Sequence, residues 1–419
     1  MPPAEQASPA ARPLKIGFIG SMNAMPMSYA LKFRRDGHDV RYVVEAPRSD
    51  YLMRPEHQYP REVGFPYPSW IFECVRPYGL VGHAFAGIRY AKIVAAMADR
   101  DVVFLNDYGL ALAPHLPARV LCIALSSGSD VDVYCSYAAA WSYSLQVRRR
   151  WLFPARLALE FMRCFNQRRG LKRCDVLAYF PEGLNEKGDR IVREMVRRKP
   201  RTQVVRRYDL NFQATGATYA PPEARPLRKI LVPVRFNIHP PTGSEFEYKG
   251  NDLIIEALAA YKKRNPAIEV HLFDKGVAAD IDFARELCRR LDLESSVVWH
   301  KEVPLEQLLR LYEECDVCFD QVGSHWMGAI GCLALYTGRP LIANARLDVF
   351  AALWGDDPPI LHATTVDQIC AQLVRCEDPG FRAALARRGH DFAVAMLDTE
   401  NVYRHLRDAM ATAMADQAR

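Results

Sequence analysis

The chain has 419 residues, 50% hydrophobic and 25% charged, with a formal net charge of +6. That length exceeds one ordinary core and suits two domains of near-equal size, and the composition is that of a soluble globular protein. No run of about 18 apolar residues occurs, so no spanning helix is expected, and residues 1–13 lack the basic start and apolar core of a secretory signal and read as a disordered, frayed tail.

From residue 14 strands and helices alternate. LKIGFIG (14–20) is an apolar run ending in glycine. A helix follows in which Met27, Ala30, Leu31 and Phe33 recur at helical spacing, closing at Gly37, and RYVVEA (41–46) is the next strand. A helix over 84–98, a strand over 101–106, a strand over 120–126, a strand over 174–180 and a helix over 183–197 continue the pattern. VVRRYDL (204–210) carries the chain out of this array, and 211–228, rich in Pro, Gly, Ala and Thr, reads as a linker. The pattern then restarts. Strands over 229–234, 268–273, 296–299, 316–320, 340–344 and 360–363 alternate with helices over 251–264, 282–291, 305–314, 328–337, 347–354 and 365–375. A last helix, 399–416, follows the completed second array.

Two successive βα arrays imply an α/β chain of two doubly wound, Rossmann-like domains facing a cleft. The expected division is an N-terminal domain 14–210, the linker 211–228, a C-terminal domain 229–396, and a segment 397–419 whose helix packs back on the first domain. Ligands of such sheets sit at the carboxyl ends of the strands, so polar residues at strand ends are the candidates.

Arg235 follows the strand KILVPV and Lys249 opens the next helix, so both cations fall at the rim of the second sheet, where a guanidinium, an ammonium and helix amides suit a diphosphate. Taken singly, each reads better as a solvated surface charge; the placement of both at one rim is what supports the ligand reading. His325, Trp326, Met327 and Gly328 lie in a strand-to-helix turn at the same rim. There a glycine lets backbone approach a ligand and helix amides can hold phosphate oxygens. In the first array Asn106 and Asp107 end one strand, and Ser127, Ser129 and Asp130 end another. Hydroxyls and carboxylates there suit sugar hydroxyls, or simply turn chemistry.

The stretch 147–173 holds nine Lys/Arg and one Glu. On a helical wheel Leu157, Phe161 and Phe165 share a face with Trp151 and Met162 beside it, and Arg156 and Arg163 lie opposite. Two readings stand: a basic amphipathic helix on an anionic membrane surface, or an apolar face in the core with arginines as a solvated rim. Nucleic acid is not an expected partner, since the aromatics do not interleave with the arginines and no binding motif is present. The eleven cysteines lack framework spacing and read as reduced, mostly buried thiols of a cytosolic protein; Cys315-x-x-Cys318 has no second ligand pair nearby. No P-loop, GxSxG, HExxH or spaced metal-ligand cluster appears. Gly17-x-x-Gly20 falls short of a dinucleotide fingerprint, which disfavours a dehydrogenase.

With these residues in place, the chain resembles GT-B glycosyltransferases of the large retaining family 4 type. The likeness covers nearly the whole chain and is densest over 229–345. PVRFNIHPPTGSEFEYKGNDLIIEALA is similar to that family's strand-Arg…Lys-Gly-helix segment, LEQLLRLYEECDVCFDQ to the helix and strand before the donor site, and HWMGAIGCLALYTGRPLIAN to the donor loop and helix. GHDV (37–40) and GSD (128–130) resemble recurrent segments of its first domain.

The resemblance implies metal-independent transfer of a sugar, with retention, from a UDP- or GDP-sugar co-substrate to the hydroxyl of a sugar or lipid-linked acceptor, without a bound cofactor. The basic stretch 147–173 suggests a lipid-linked or membrane-adjacent acceptor, as in cell-surface polysaccharide or glycoconjugate assembly, in the cytoplasm or peripherally on the inner face of the cytoplasmic membrane. Arg235, Lys249 and His325 would be catalytic; these three with Trp326, Met327 and Gly328 would bind the donor. Asn106, Asp107, Ser127, Ser129 and Asp130 would line the acceptor side. The family's paired glutamates fall on His325 and Leu333, and its first-domain histidine falls on Ser127. The departure motivates a second reading, a degenerate GT-B protein that binds nucleotide or a partner without transfer.

Overall fold

In a computed structural model of the chain, residues 12–75, 79–147, 149–240 and 247–417 are described. Arg148 and residues 1–11 of the expected tail lie outside the described residues. The chain divides into two compact units. Unit 1 holds the described residues up to Phe180, Asn185–Arg207 and those from Val402 onward; unit 2 holds Pro181–Leu184 and Tyr208–Asn401.

Unit 1 is built on β1 (Lys15–Ile19), β2 (Asp39–Val44), β3 (Ile71–Glu73), β4 (Val102–Leu105), β5 (Leu121–Leu125), β6 (Val176–Tyr179) and β7 (Gln203–Arg206). They form one parallel sheet of seven strands in the order β3-β2-β1-β4-β5-β6-β7. The central strands are short unbroken apolar runs because helices cover both faces. Phe18 on β1 stacks on Phe104 of β4 with ring centroids 4.7 Å apart. The last helix, Thr399–Gln417, joins this unit from Val402 onward; there Tyr403 donates to Asp36 Oδ2 at 2.7 Å and packs on Phe33.

Unit 2 is built on β8 (Lys229–Val232), β9 (Glu269–Phe273), β10 (Val297–His300), β11 (Val317–Phe319), β12 (Leu341–Ala343) and β13 (Leu361–His362). These six strands are parallel in the order β10-β9-β8-β11-β12-β13. Ile230, Val270, Leu272, Phe319 and Ile342 put the core on this sheet.

Several elements depart from the sequence expectations. The helix expected over 84–98 is three pieces, Leu80–Ala84, Ala86–Arg89 and Ala91–Met97, broken at Phe85 and Tyr90. The breaks let Gly87 pass against the His115 ring, where an added Cβ would lie 2.4 Å away, and let Tyr90 pack on Tyr108. The segment 204–210 was read only as an exit; 203–206 is the seventh strand of the first sheet. Residues 211–228, read as a linker, pack on unit 2: Ala220 N donates to Thr337 O at 3.1 Å and the Arg225 guanidinium pairs with the buried Asp316 at 3.1 Å. The helix Pro379–Met396 was not anticipated. Asp378 caps it by accepting from Gly380 N, and its buried Arg382 donates to the Cys376 carbonyl at 2.6 Å.

Candidate functional site

The second sheet reverses its strand order beside β8. The chain winds outward through β9 and β10, then returns to β11 on the opposite side of β8. The loops after β8 and β11 therefore diverge and leave a crevice at the carboxyl ends, the position where open α/β sheets take ligands. Arg235 lies in the loop after β8, Asp320 and Gln321 follow β11 directly, and Lys249 precedes the helix Asn251–Lys262.

Two local devices fix these residues. The first is a clip: buried Asn251 accepts from Asn237 N at 3.3 Å and donates to Val234 O at 3.4 Å, and Lys249 N donates to Asn237 O at 3.0 Å. It ties the strand exit that carries Arg235 to the helix entrance that carries Lys249. The second is a crossing of two glycines. Gly250 has φ +72°, and a Cβ there would lie 2.6 Å from Gly323 N; a Cβ on Gly323 would lie 2.7 Å from Gly250 N. That approach lets Val322 N and Gly323 N donate to the Lys249 carbonyl at 3.1 and 3.2 Å.

The side chains follow from the backbone. Lys249 Nζ donates to Gln321 Oε1, and Gln321 Nε2 donates to the Ser324 hydroxyl. Burial, then the positive charge of Arg235, pulls the Lys249 ammonium down to about 8. Arg235 is exposed and makes no hydrogen bond or ion pair with another described residue. An exposed guanidinium beside a half-buried ammonium, whose charge Asp320 and Glu247 offset only in part, is a cationic pair that the two linked phosphoryl groups of a diphosphate would suit.

Asp320, which the sequence reading left without a role, is 3% exposed and sits at the start of the helix Ala329–Thr337. It accepts from Gln321 N at 2.7 Å and from Gly328 N at 2.6 Å, and burial raises its carboxyl pKa. The Gly328 amide is thus engaged by a carboxylate of the same unit, because a buried acid needs donors. Met327 is also placed differently from expectation: its side chain is 1% exposed and its carbonyl accepts from the Tyr208 hydroxyl. Trp326 is half-buried with its ring 5.7 Å from that of Tyr208. His325 Nε2 lies 3.1 Å from the Leu184 carbonyl, so that nitrogen carries the proton and donates. Arg346 donates to the Gly183 carbonyl at 2.8 Å, and the two side chains hold the segment 181–184 within unit 2. Leu333, where the resemblance implies a carboxylate, is 5% exposed in the same helix.

The five candidates of unit 1 do come together, at the reversal point of the first sheet between β1 and β4. Asn106 is a fully used bracket: Oδ1 accepts from Met22 N at 3.0 Å, and Nδ2 donates to Leu125 O and Ser127 Oγ, each at 2.7 Å. Asp130 is buried and accepts from the amides of Ser127, Gly128 and Asp107. Burial and repulsion from Asp107 push its carboxyl to about 7, and burial pushes Asp107 to about 6. Ser127 and Ser129 remain partly exposed. Glu45, missed from the sequence, completes the cluster. It accepts from Gly20 N and from the hydroxyls of Ser21 and Tyr108, with burial raising it to about 7. The signal for it was the end of the strand RYVVEA, a lone acid in an apolar run.

No protein-family profile and no curated protein sequence matches this chain. Solved structures do match in fold. Sucrose-phosphate synthase of Thermosynechococcus elongatus is 14% identical over 97% of this chain and 100% of its own, with a TM-score of 0.60. HepE of Anabaena, solved with UDP and glucose, is 13% identical over 96% and 100%, with a TM-score of 0.63. WaaG, a glycosyltransferase involved in lipopolysaccharide biosynthesis, is 16% identical over 94% and 99%, with a TM-score of 0.57. The chain has the two-sheet GT-B fold of these glycosyltransferases.

Proposed function

We propose that the chain is a glycosyltransferase that moves a sugar from a UDP- or GDP-sugar to a hydroxyl of a sugar or lipid-linked acceptor, with retention and without a metal. The observation that carries the proposal is the cationic pair Arg235 and Lys249 at the reversal point of the second sheet, in a fold shared with structures that hold UDP and glucose. The bond between the anomeric carbon and the diphosphate oxygen breaks as the acceptor oxygen bonds to that carbon on the same face. The acceptor proton passes to the departing phosphate oxygen. Charge grows on the diphosphate, and Arg235 and Lys249 stabilise it; donors of this kind are worth about 100-fold or more in rate. Gln321 holds the Lys249 ammonium in place, and His325 holds the segment 181–184. In unit 1, Ser127 and Ser129 offer hydroxyls to the acceptor. The setting we favour is assembly of a cell-surface polysaccharide or glycoconjugate on the cytoplasmic side of a membrane.

A panel of UDP- and GDP-sugars tests this, read first as thermal shift and then as turnover with simple glycoside and lipid-linked acceptors. Transfer that falls by about 100-fold in Arg235→Ala is the expected result. Leu333 favours a second reading, since an apolar side chain stands where the resemblance implies a ribose-binding acid. Tight nucleotide binding with no turnover of any donor would support that non-catalytic reading.

A further inference from the structure

The helix Phe153–Arg173 buries polar side chains and exposes aromatic ones. Its inward side carries Glu160, Cys164, Gln167, Gly170 and Leu171, all buried. Glu160 is paired with Arg156 at 2.8 Å and Arg163 at 2.6 Å, and Gln167 donates to the backbone carbonyl of Asp107 at 2.7 Å. Its outward side carries Ala155, Ala158, Phe161, Met162 and Phe165, with Arg169 and Lys172 at the far end. In the neighbouring helix Tyr137–Leu145 the small Ala140 and Ser144 are buried, and Tyr137, Trp141 and Leu145 line the outer face at four-residue spacing. Rings join the two helices, with Tyr137 and Phe161 5.4 Å apart and Trp141 and Phe153 5.7 Å apart.

The exposure is large for such residues: Trp151 72%, Leu145 59%, Phe165 54% and Trp141 48%. A contiguous aromatic face of this kind marks a surface that something covers. The charge around it identifies the covering chemistry. Arg149 and Arg150 sit beside Trp151 between the two helices, both exposed and neither paired with a described residue. Tryptophan and tyrosine with arginine at the edge suit the headgroup level of a bilayer, where rings enter and cations meet lipid phosphate. No helix among the described residues is long and apolar enough to cross a membrane.

The geometry points to a peripheral docking face for an anionic phospholipid membrane, formed by Tyr137, Trp141, Leu145, Trp151, Phe161 and Phe165 and oriented by Arg149 and Arg150. Of the two readings open in the sequence, the exposure of Phe161 and Phe165 favours the membrane surface over the core. Membrane docking goes beyond the transfer reaction and stands without it, since lipid binding is read whether or not any sugar is moved.

Flotation at low salt with vesicles of phosphatidylcholine plus phosphatidylglycerol, and of phosphatidylcholine alone, tests the face. The wild-type chain is expected to float with the anionic vesicles and to show a blue shift of tryptophan emission. Arg149→Gln/Arg150→Gln should weaken that binding by about 30-fold, an effect lost at high salt. Phe161→Ser/Phe165→Ser should weaken it by at least about tenfold at every salt concentration. All these side chains are exposed, and an unchanged circular dichroism spectrum and melting midpoint certify the variants. No flotation with anionic vesicles overturns the proposal, as does flotation that neither variant alters. A dimer by light scattering that dissociates in Phe161→Ser/Phe165→Ser, without vesicle binding, assigns the face to a second copy instead.

Discussion

Arg235 lies close enough to Lys249 for its charge to help draw the lysine down to about 8, although one side chain is exposed and the other half-buried. Like charges are kept near each other only at a cost in stability, which a bound anion removes.

That relationship sets a pH dependence. The charged form of Lys249 binds a diphosphate more tightly, so affinity is greatest below about pH 8 and weakens as pH rises through it, with Arg235 still charged. Binding also raises the lysine pKa, so the complex takes up protons near that pH. Calorimetry with UDP and GDP in buffers of different ionisation enthalpy should show proton uptake that disappears in Lys249→Met. Uptake that persists in the variant would assign the titration elsewhere.

The glycine crossing should be intolerant. Gly323→Ala brings a Cβ to 2.6 Å from the Tyr248 carbonyl and must part the two loops. The expected cost is about 1–3 kcal/mol in denaturant unfolding, and nucleotide affinity should fall with it as Lys249 leaves Gln321. Gly64→Ala, with nothing within 4 Å of the added Cβ, is the control. Equal behaviour of the two variants would show that the crossing does not position Lys249.

His325 is expected to act as a strap. His325→Ala should speed hydrogen exchange over residues 181–185, because the Leu184 carbonyl loses its donor. His325→Gln, which still presents an N–H, should recover part of the protection. Unchanged exchange with lost transfer would instead give His325 a direct role on the sugar.

The buried acids of unit 1 should couple stability to pH. Glu45 and Asp130 are raised to about 7 when folded, so their contribution is full at low pH and is lost as pH rises through about 7. From about pH 5 to just above pH 7, between the ordinary carboxyl range and their folded values, these acids should lower the melting midpoint as pH rises. Glu45→Gln can keep the bonds to Gly20 and Tyr108 and should flatten that slope. A slope unaltered in Glu45→Gln would contradict a neutral Glu45 near pH 6.5.

Both arrays and most of their strands were legible, because buried parallel strands such as LCIAL and KILV are plain apolar runs. Arg235 and Lys249 were legible as rim residues because sheet topology alone puts strand exits there. Asp320, Glu45 and the Asn251 clip were not, since each is a polar residue whose partners are set by turns and tertiary contacts rather than by periodicity. The true orientation of the helix Phe153–Arg173 was also hidden. A helical wheel separates two faces but does not say which one the core takes, and here Glu160 went inward because Arg156 and Arg163 could follow it. The contact from Asp320 to the Gly328 amide was hidden too, because it crosses a turn that periodicity cannot describe.

The most direct test of the cationic pair compares a nucleoside with its diphosphate. The wild-type chain should bind UDP or GDP far more tightly than uridine or guanosine, and Arg235→Ala/Lys249→Ala should lose about 100-fold or more of that preference while nucleoside binding is unchanged. A double variant that keeps the full preference for the diphosphate would contradict the account.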